Sequence, residues 1–203
     1  MNRLTRLAIR AGTFAPPLFG LILLTLTIIQ HDFLRSLGWD PVTAPTFDWP
    51  SGLALGRLGW IVTGAFVVNG ALIGLFAIAL RRALPASAAS RLGTLLMLLA
   101  GLAMCGLAFT TDPTIRSTPA TWHGRIHDAS FAALGLTLFP SMLAFGAAFL
   151  RSSAWRGLGV YTLLTAALAI PTFALKGIAF YVFLAAILAW MVVTARWLAR
   201  VVK

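Results

Sequence analysis

The stretch TWHGRIHD, residues 121–128, holds the side chains of this sequence that are best suited to chemistry. His123 and His127 are four residues apart, a spacing that puts both on one face of a helix. Asp128 adjoins the second histidine. Two imidazoles on one face can hold a metal ion if a carboxylate joins them, and histidine near neutral pH can also transfer protons.

The remaining candidates are spread along the chain, and each adjoins the end of a long apolar run. They are His31, Asp112 and Lys176. Because these ends are expected at one depth, Asp112 is predicted to approach His123 and His127, a set suited to a divalent metal such as zinc. By the same argument His31 can approach, so a third histidine can take the place of the aspartate. The chain has no glutamate and one cysteine, Cys105, and the metal ligands we expect are His123, His127 and Asp112.

Two other interpretations of the same residues stay open. The groups can stabilise helix ends, with Thr121 as an N-cap and Asp128 near a helix N-terminus, where the helix dipole favours a carboxylate. They can also relay protons, although no histidine or aspartate lies in the opposite halves of the apolar runs to continue a path.

The elements that position these groups are apolar helices. The chain has 203 residues, of which 60% are hydrophobic and 10% charged, against about 25% charged in soluble domains. The apolar residues form runs of about 20, enough to cross a bilayer as a helix. We therefore predict a single all-α membrane domain over residues 1–203, with N- and C-termini in the cytoplasm. Its six spans cover about residues 12–30, 58–80, 92–110, 127–150, 157–174 and 177–198.

The net charge of +11 is confined to one side of these spans. The connections and termini on that side carry eleven basic residues and no acidic residue: Arg3, Arg6, Arg10, Arg81, Arg82, Arg91, Arg151, Arg156, Arg196, Arg200 and Lys203. The other side carries five basic and five acidic residues. By the positive-inside rule the basic side is cytoplasmic, where it can bind anionic lipids, and nucleic acid is not an expected partner.

Two connections on the outer side, at about residues 31–56 and 111–126, are long enough to fold over the helix ends. The first contains Trp39, Trp49 and several prolines, which favour an irregular lid at the membrane interface. The second contains the octapeptide. Polar chemistry is therefore expected on the outer face.

The motifs resemble a known family. Six spans, a TTDP element at residues 110–113 and a T-x-H-G-x-x-H run at residues 121–127 are similar to the domain-of-unknown-function family 998 of bacteria and archaea. The resemblance implies a multi-pass membrane protein in which Asp112, Gly124 and His127 match the family pattern. It names no substrate.

A more distant similarity is to the membrane hydrolases that include alkaline ceramidases, in which helix-borne histidines hold zinc. Those proteins have seven spans and a further serine and histidine. This chain has six predicted spans and no Ser-x-x-x-His element.

We expect a bacterial inner-membrane protein with an outward-facing polar pocket that binds a small molecule or a lipid headgroup. Lys176, Arg125 and Arg116 favour an anionic group in that pocket. The pocket residues are His31, Asp112, His123, Gly124, His127, Asp128 and Lys176. The alternatives are a metal-dependent hydrolase that uses His123, His127 and Asp112, in which bound water is the nucleophile, and a structural protein without a catalytic site.

Overall fold

The computed structural model describes residues 3–115 and 118–202. Its α-helices are α1 (Arg3–Ile29), α2 (His31–Ser36), α3 (Gly59–Ala83), α4 (Ala88–Gly106), α5 (Trp122–Leu150), α6 (Arg156–Leu175) and α7 (Ala179–Val201). Six of them, all except α2, are long and apolar enough to cross a membrane. No β-strand occurs within the described ranges. The prediction of an all-α fold with six spans is therefore confirmed.

Several helices extend beyond the predicted spans into flanking polar residues, whereas α4 ends at Gly106, before the predicted end at residue 110. Helix α1 begins at Arg3 and α5 at Trp122, so the octapeptide lies within the first turns of α5. The last two spans separate at Lys176 and Gly177, both with positive φ, while Pro171 lies inside α6. Hydropathy marks the segment that lipid surrounds, whereas the helix ends where its backbone hydrogen bonds are replaced by caps.

The six spans form a closed ring. Each of α3 to α6 contacts the next helix along the chain, and α1 contacts both α3 and α7. Large apolar side chains such as Leu18, Ile28 and Leu136 are exposed on the outside of this ring, as expected of a surface that faces lipid. We call the end where α1, α4 and α6 finish the connection end, and the opposite end the arginine end.

A lid, residues 31–56, covers the connection end. It contains α2 and a short 3-10 helix, Ser51–Leu55. Buried Gln30 donates to the Leu53 carbonyl at 3.3 Å, and Trp49 Nε1 donates to Thr27 Oγ1 at 2.9 Å. Asp48 accepts from the backbone N–H of Thr114 at 3.0 Å. The lid is thereby bonded to α1 and to the connection that follows α4.

Asp40 organises the outer part of the lid. Its carboxylate accepts hydrogen bonds from the backbone N–H groups of Thr43 and Val42, at 2.7 and 2.9 Å, and it also pairs with Arg35. These donors, the Thr43 amide first, hold the pKa of Asp40 well below its usual range because they stabilise the ionised form. The Asp40 carboxylate therefore stays ionised, and keeps these hydrogen bonds, at pH values well below neutral.

Helices α3 and α4 make their closest approach at two glycines. A Cβ added at Gly101 would lie 2.6 Å from the Gly70 carbonyl oxygen, and one added at Gly70 would lie 2.8 Å from the backbone N of Cys105. The sequence pattern NGALIG contains Gly70 and Gly74 as a small-xxx-small pair. At Gly74 an added Cβ would meet only Leu98, at an ordinary distance of 3.6 Å.

We predict that Gly70→Ala destabilises the protein by about 1–3 kcal/mol, because the new methyl group overpacks backbone that cannot yield. Gly64→Ala, in the same helix, is the matched control, since nothing lies within 4 Å of a Cβ there. Thermal unfolding in mild detergent measures both. Equal melting temperatures for the two variants would contradict the close contact between α3 and α4.

Candidate functional site

The start of α5 is held by a side chain from the preceding connection. Thr121 is the N-cap, and its Oγ1 accepts a hydrogen bond from the Gly124 backbone N–H at 3.1 Å. Asp112 accepts from the Thr121 backbone N–H at 2.8 Å and from Thr121 Oγ1 at 2.7 Å. The carboxylate lies beside a helix N-terminus, where the dipole stabilises negative charge.

Gly124 provides the space for this carboxylate. A Cβ at Gly124 would lie 2.6 Å from Asp112 Cγ and closer still to one carboxylate oxygen. Any side chain at position 124 would therefore displace Asp112 from the helix end. The TTDP and T-x-H-G elements therefore contact each other through Asp112 and Gly124.

His123 binds the backbone of the same connection. Its Nδ1 lies 2.8 Å from the Thr110 carbonyl oxygen and 3.0 Å from Thr121 Oγ1. Carbonyl oxygens only accept, so Nδ1 carries the proton and donates it. This histidine fastens the chain that follows α4 to the first turn of α5.

His127 has two different partners for its two ring nitrogens. Nδ1 lies 3.0 Å from the Leu107 carbonyl oxygen and 2.8 Å from that of Phe109, so it also carries a proton. Nε2 lies 2.8 Å from Ser51 Oγ in the lid. In the neutral ring, Nε2 therefore has the free lone pair and accepts a hydrogen bond from the Ser51 hydroxyl. The imidazole is 3% exposed.

A polar cavity of about 320 Å³ opens beside this pair. Its walls come from the lid, the connection after α4, α5 and the α6–α7 turn. The charged and hydroxyl-bearing residues among those lining it are Thr46, Asp48, Ser51, Thr111, Thr114, Asp128 and Lys176, together with His127. We call this space the polar cavity.

A second, apolar cavity of about 100 Å³ lies inside the ring of spans. Each span contributes to its wall, for example through Phe19, Phe66, Met97, Leu138, Phe173 and Ile187. Ser51, Pro50, Phe131 and Phe180 line both this central cavity and the polar cavity. Ser51 thus lies at the boundary between a polar space and an apolar one.

The structure brings together only part of the predicted site. His127, Asp128 and Lys176 line the polar cavity, whereas Asp112, His123 and Gly124 form the helix cap and are not among its lining residues. His31 is exposed and pairs with Asp32 at 3.1 Å. Within residues 3–115 and 118–202, no group of three His, Cys, Asp or Glu side chains is arranged to hold a metal ion. Zinc binding by His123, His127 and Asp112 stays a prediction.

Sequence reasoning missed the contribution of the lid. Ser51 and Asp48 reach the site from a segment more than 60 residues before the octapeptide, and Thr114 completes the link between Asp48 and the second connection. The only signal was the position of Ser51 just before the second predicted span. A serine there is also typical of an ordinary turn.

The model of the family described as "Protein of unknown function (DUF998)" matches residues 10–197 of the 203-residue chain. The chain belongs to this family. No curated protein and no solved structure matches it. The resemblance deduced from the TTDP and T-x-H-G-x-x-H elements is therefore confirmed, and the uncharacterised family fits a multi-pass membrane protein.

We predict that Gly124→Ala destabilises the protein by about 1–3 kcal/mol because its methyl group displaces the Asp112 carboxylate. In an Asp112→Ala background the same change should be neutral or stabilising by up to about 1 kcal/mol, since alanine is favoured over glycine in a helix. A double-mutant cycle on melting temperatures in detergent measures this coupling. Additive effects would show that Asp112 and Gly124 do not depend on each other.

Proposed function

We propose that the protein is a multi-pass protein of the bacterial inner membrane whose polar cavity binds the headgroup of a small amphiphile at the outer face. The single observation that carries this proposal is that Ser51 lines both the polar cavity and the apolar cavity. A polar headgroup fits on one side of that residue, and the first segment of an apolar chain fits in the roughly 100 Å³ on the other side. Burying hydrocarbon in a largely apolar cavity is favourable.

The charges of the polar cavity favour a headgroup that carries both signs. Asp48 and Asp128 contribute negative charge, and Lys176 contributes the positive charge among the described lining residues. Arg125 is exposed and is not among the lining residues, and Arg116 lies outside the described residues. The sequence led us to expect a purely anionic ligand. The lining of the polar cavity instead favours a zwitterionic headgroup with an amine and a phosphate.

The distribution of charge supports the orientation. The basic residues at the arginine end are topology determinants on the cytoplasmic side, where they also bind anionic lipid headgroups. The connection end, with five basic and five acidic residues, then faces outward. A ligand or water molecule enters the polar cavity from that side.

Cysteine labelling in intact cells tests the orientation. In a Cys105→Ala background, Ser36→Cys in the lid should react with a membrane-impermeant maleimide, whereas Ala86→Cys at the arginine end should react only after the cells are opened. Both positions are exposed, so accessibility differs only by the side of the membrane. The reverse pattern would place the polar cavity in the cytoplasm.

Binding is tested with an ether-linked lysophosphatidylethanolamine, which resists ester cleavage, added to the purified protein in mild detergent. We expect it to raise the melting temperature in a concentration-dependent manner, as any ligand of the native state does. Lys176→Gln should weaken its affinity about tenfold, the effect of losing one hydrogen bond to a charged group.

Arg125→Gln is the matched control, because it removes an exposed cation from the same end of the ring without changing the lining of the polar cavity. The proposal predicts no change in affinity for this variant. It is wrong if the wild type gains no stability from the ether lipid, or if both variants weaken binding equally through a general loss of positive charge.

A further inference from the structure

The contact between Ser51 and His127 has the geometry of a nucleophile and its general base. Ser51 Oγ lies 2.8 Å from His127 Nε2, within the distance required for direct proton transfer. A serine hydroxyl is a weak nucleophile unless such a base takes its proton. To act as the base, the imidazole must be held in the tautomer that has its lone pair on Nε2.

The backbone fixes that tautomer. The Leu107 and Phe109 carbonyl oxygens accept from Nδ1 at 3.0 and 2.8 Å, which keeps the proton on Nδ1 and the lone pair on Nε2. The same two carbonyl dipoles stabilise the imidazolium that forms when Nε2 takes a second proton. They thus perform the orienting role that a carboxylate has in a catalytic triad.

The base, His127, is buried, whereas the nucleophile, Ser51, is accessible from the cavities, as catalysis requires. His127 is 3% exposed, so its ring is shielded from bulk water and cannot rotate freely. Ser51 is only partly buried and lines both cavities. An amphiphile with its headgroup in the polar cavity and its chain in the central cavity therefore has its linking group beside Ser51 Oγ.

We propose that Ser51 and His127 form a catalytic dyad that cleaves a carboxylic ester within such an amphiphile. The identity of the substrate rests on the proposed function, whereas the reactivity of Ser51 can be tested without it. His127 is the general base and Ser51 is the nucleophile. No metal takes part in this route.

The reaction proceeds in two balanced halves. Ser51 Oγ forms a bond to the ester carbonyl carbon while its proton passes to Nε2, and the bond to the alcohol breaks as the alcohol oxygen takes that proton. Water then attacks the acyl carbon and gives a proton to Nε2. The bond from Ser51 Oγ breaks, Ser51 regains the proton, and the carboxylic acid is released.

The first test is covalent labelling of the full-length protein in detergent with an alkyl fluorophosphonate, followed by intact-mass and peptide analysis. We expect one phosphonyl group on Ser51 with loss of fluoride. Ser51→Ala should abolish the label, and Ser36→Ala, which removes an exposed lid hydroxyl, should leave it unchanged. An unlabelled wild type, or a label that persists in Ser51→Ala, would overturn the dyad.

His127→Asn separates the structural role of the imidazole from its role as a base. An asparagine amide can still donate to the Leu107 and Phe109 carbonyls in place of Nδ1, but it offers no base at the position of Nε2. We expect labelling at least about 100-fold slower, the usual contribution of a general base. Equal labelling rates in the wild type and the variant would overturn the assignment.

Turnover of ester-linked lysophosphatidylethanolamine completes the test. Fatty acid release should disappear in Ser51→Ala and survive treatment with a chelator. Release that persists in Ser51→Ala and stops with the chelator would overturn the dyad in favour of a metal-dependent hydrolase. Binding of the ether lipid without labelling of Ser51 would overturn the dyad alone, whereas labelling without binding of the ether lipid would overturn the proposed function and retain the dyad.

Discussion

The arrangement of the connection end depends on how the backbone carbonyls beyond α4 are satisfied. After Gly106 the chain leaves the helix, and the carbonyls of Leu107, Phe109 and Thr110 no longer have helical donors. The imidazoles of His123 and His127 supply them. Because both histidines come from one face of α5, satisfying these carbonyls fixes the position of α5 against the end of α4.

The same histidine can therefore hold the end of α4 and still have a nitrogen available for proton transfer. An imidazole has two nitrogens, and the structural bonds of His127 use only Nδ1. Using that nitrogen as a donor decides which tautomer is present and directs the lone pair of Nε2 at the lid. The Ser51 hydroxyl, whose Oγ lies 2.8 Å away, is the partner of that nitrogen. The N-cap predicted for Thr121 is confirmed, whereas the bonds of His123 and His127 to backbone carbonyls were not predicted.

The lid contributes the other half of the site. Hydrogen bonds at several points fix the position of the lid. Asp48 accepts from Thr114, Gln30 holds the end of the 3-10 helix, and the Gly177 N–H donates to Thr46 Oγ1 at 3.3 Å. These bonds join the lid to three different connections or helix ends. The polar cavity exists because the lid is held over the ring without filling it.

The sequence was sufficient to predict the membrane-spanning helices but not the contacts of the candidate site. Both outcomes have physical reasons. Runs of apolar residues identify spans because lipid contact requires them, and the four-residue spacing of His123 and His127 correctly placed them on one helix face. Their shared face is directed at backbone carbonyls, a partner that no side-chain pattern reveals. Ser51 is separated from His127 by 76 residues, and hydrogen bonds from the lid to distant segments of the chain bring it there.

The distribution of ionisable groups limits where a reaction can occur. The five aspartates and three histidines belong to the lid, to the connection after α4 or to the first turns of α5. Towards the arginine end the charged side chains are cations, which accept no proton. Any step that transfers a proton to a histidine or a carboxylate must therefore take place at the connection end. The proposed ester cleavage meets this condition, because Ser51 and His127 both line the polar cavity at that end.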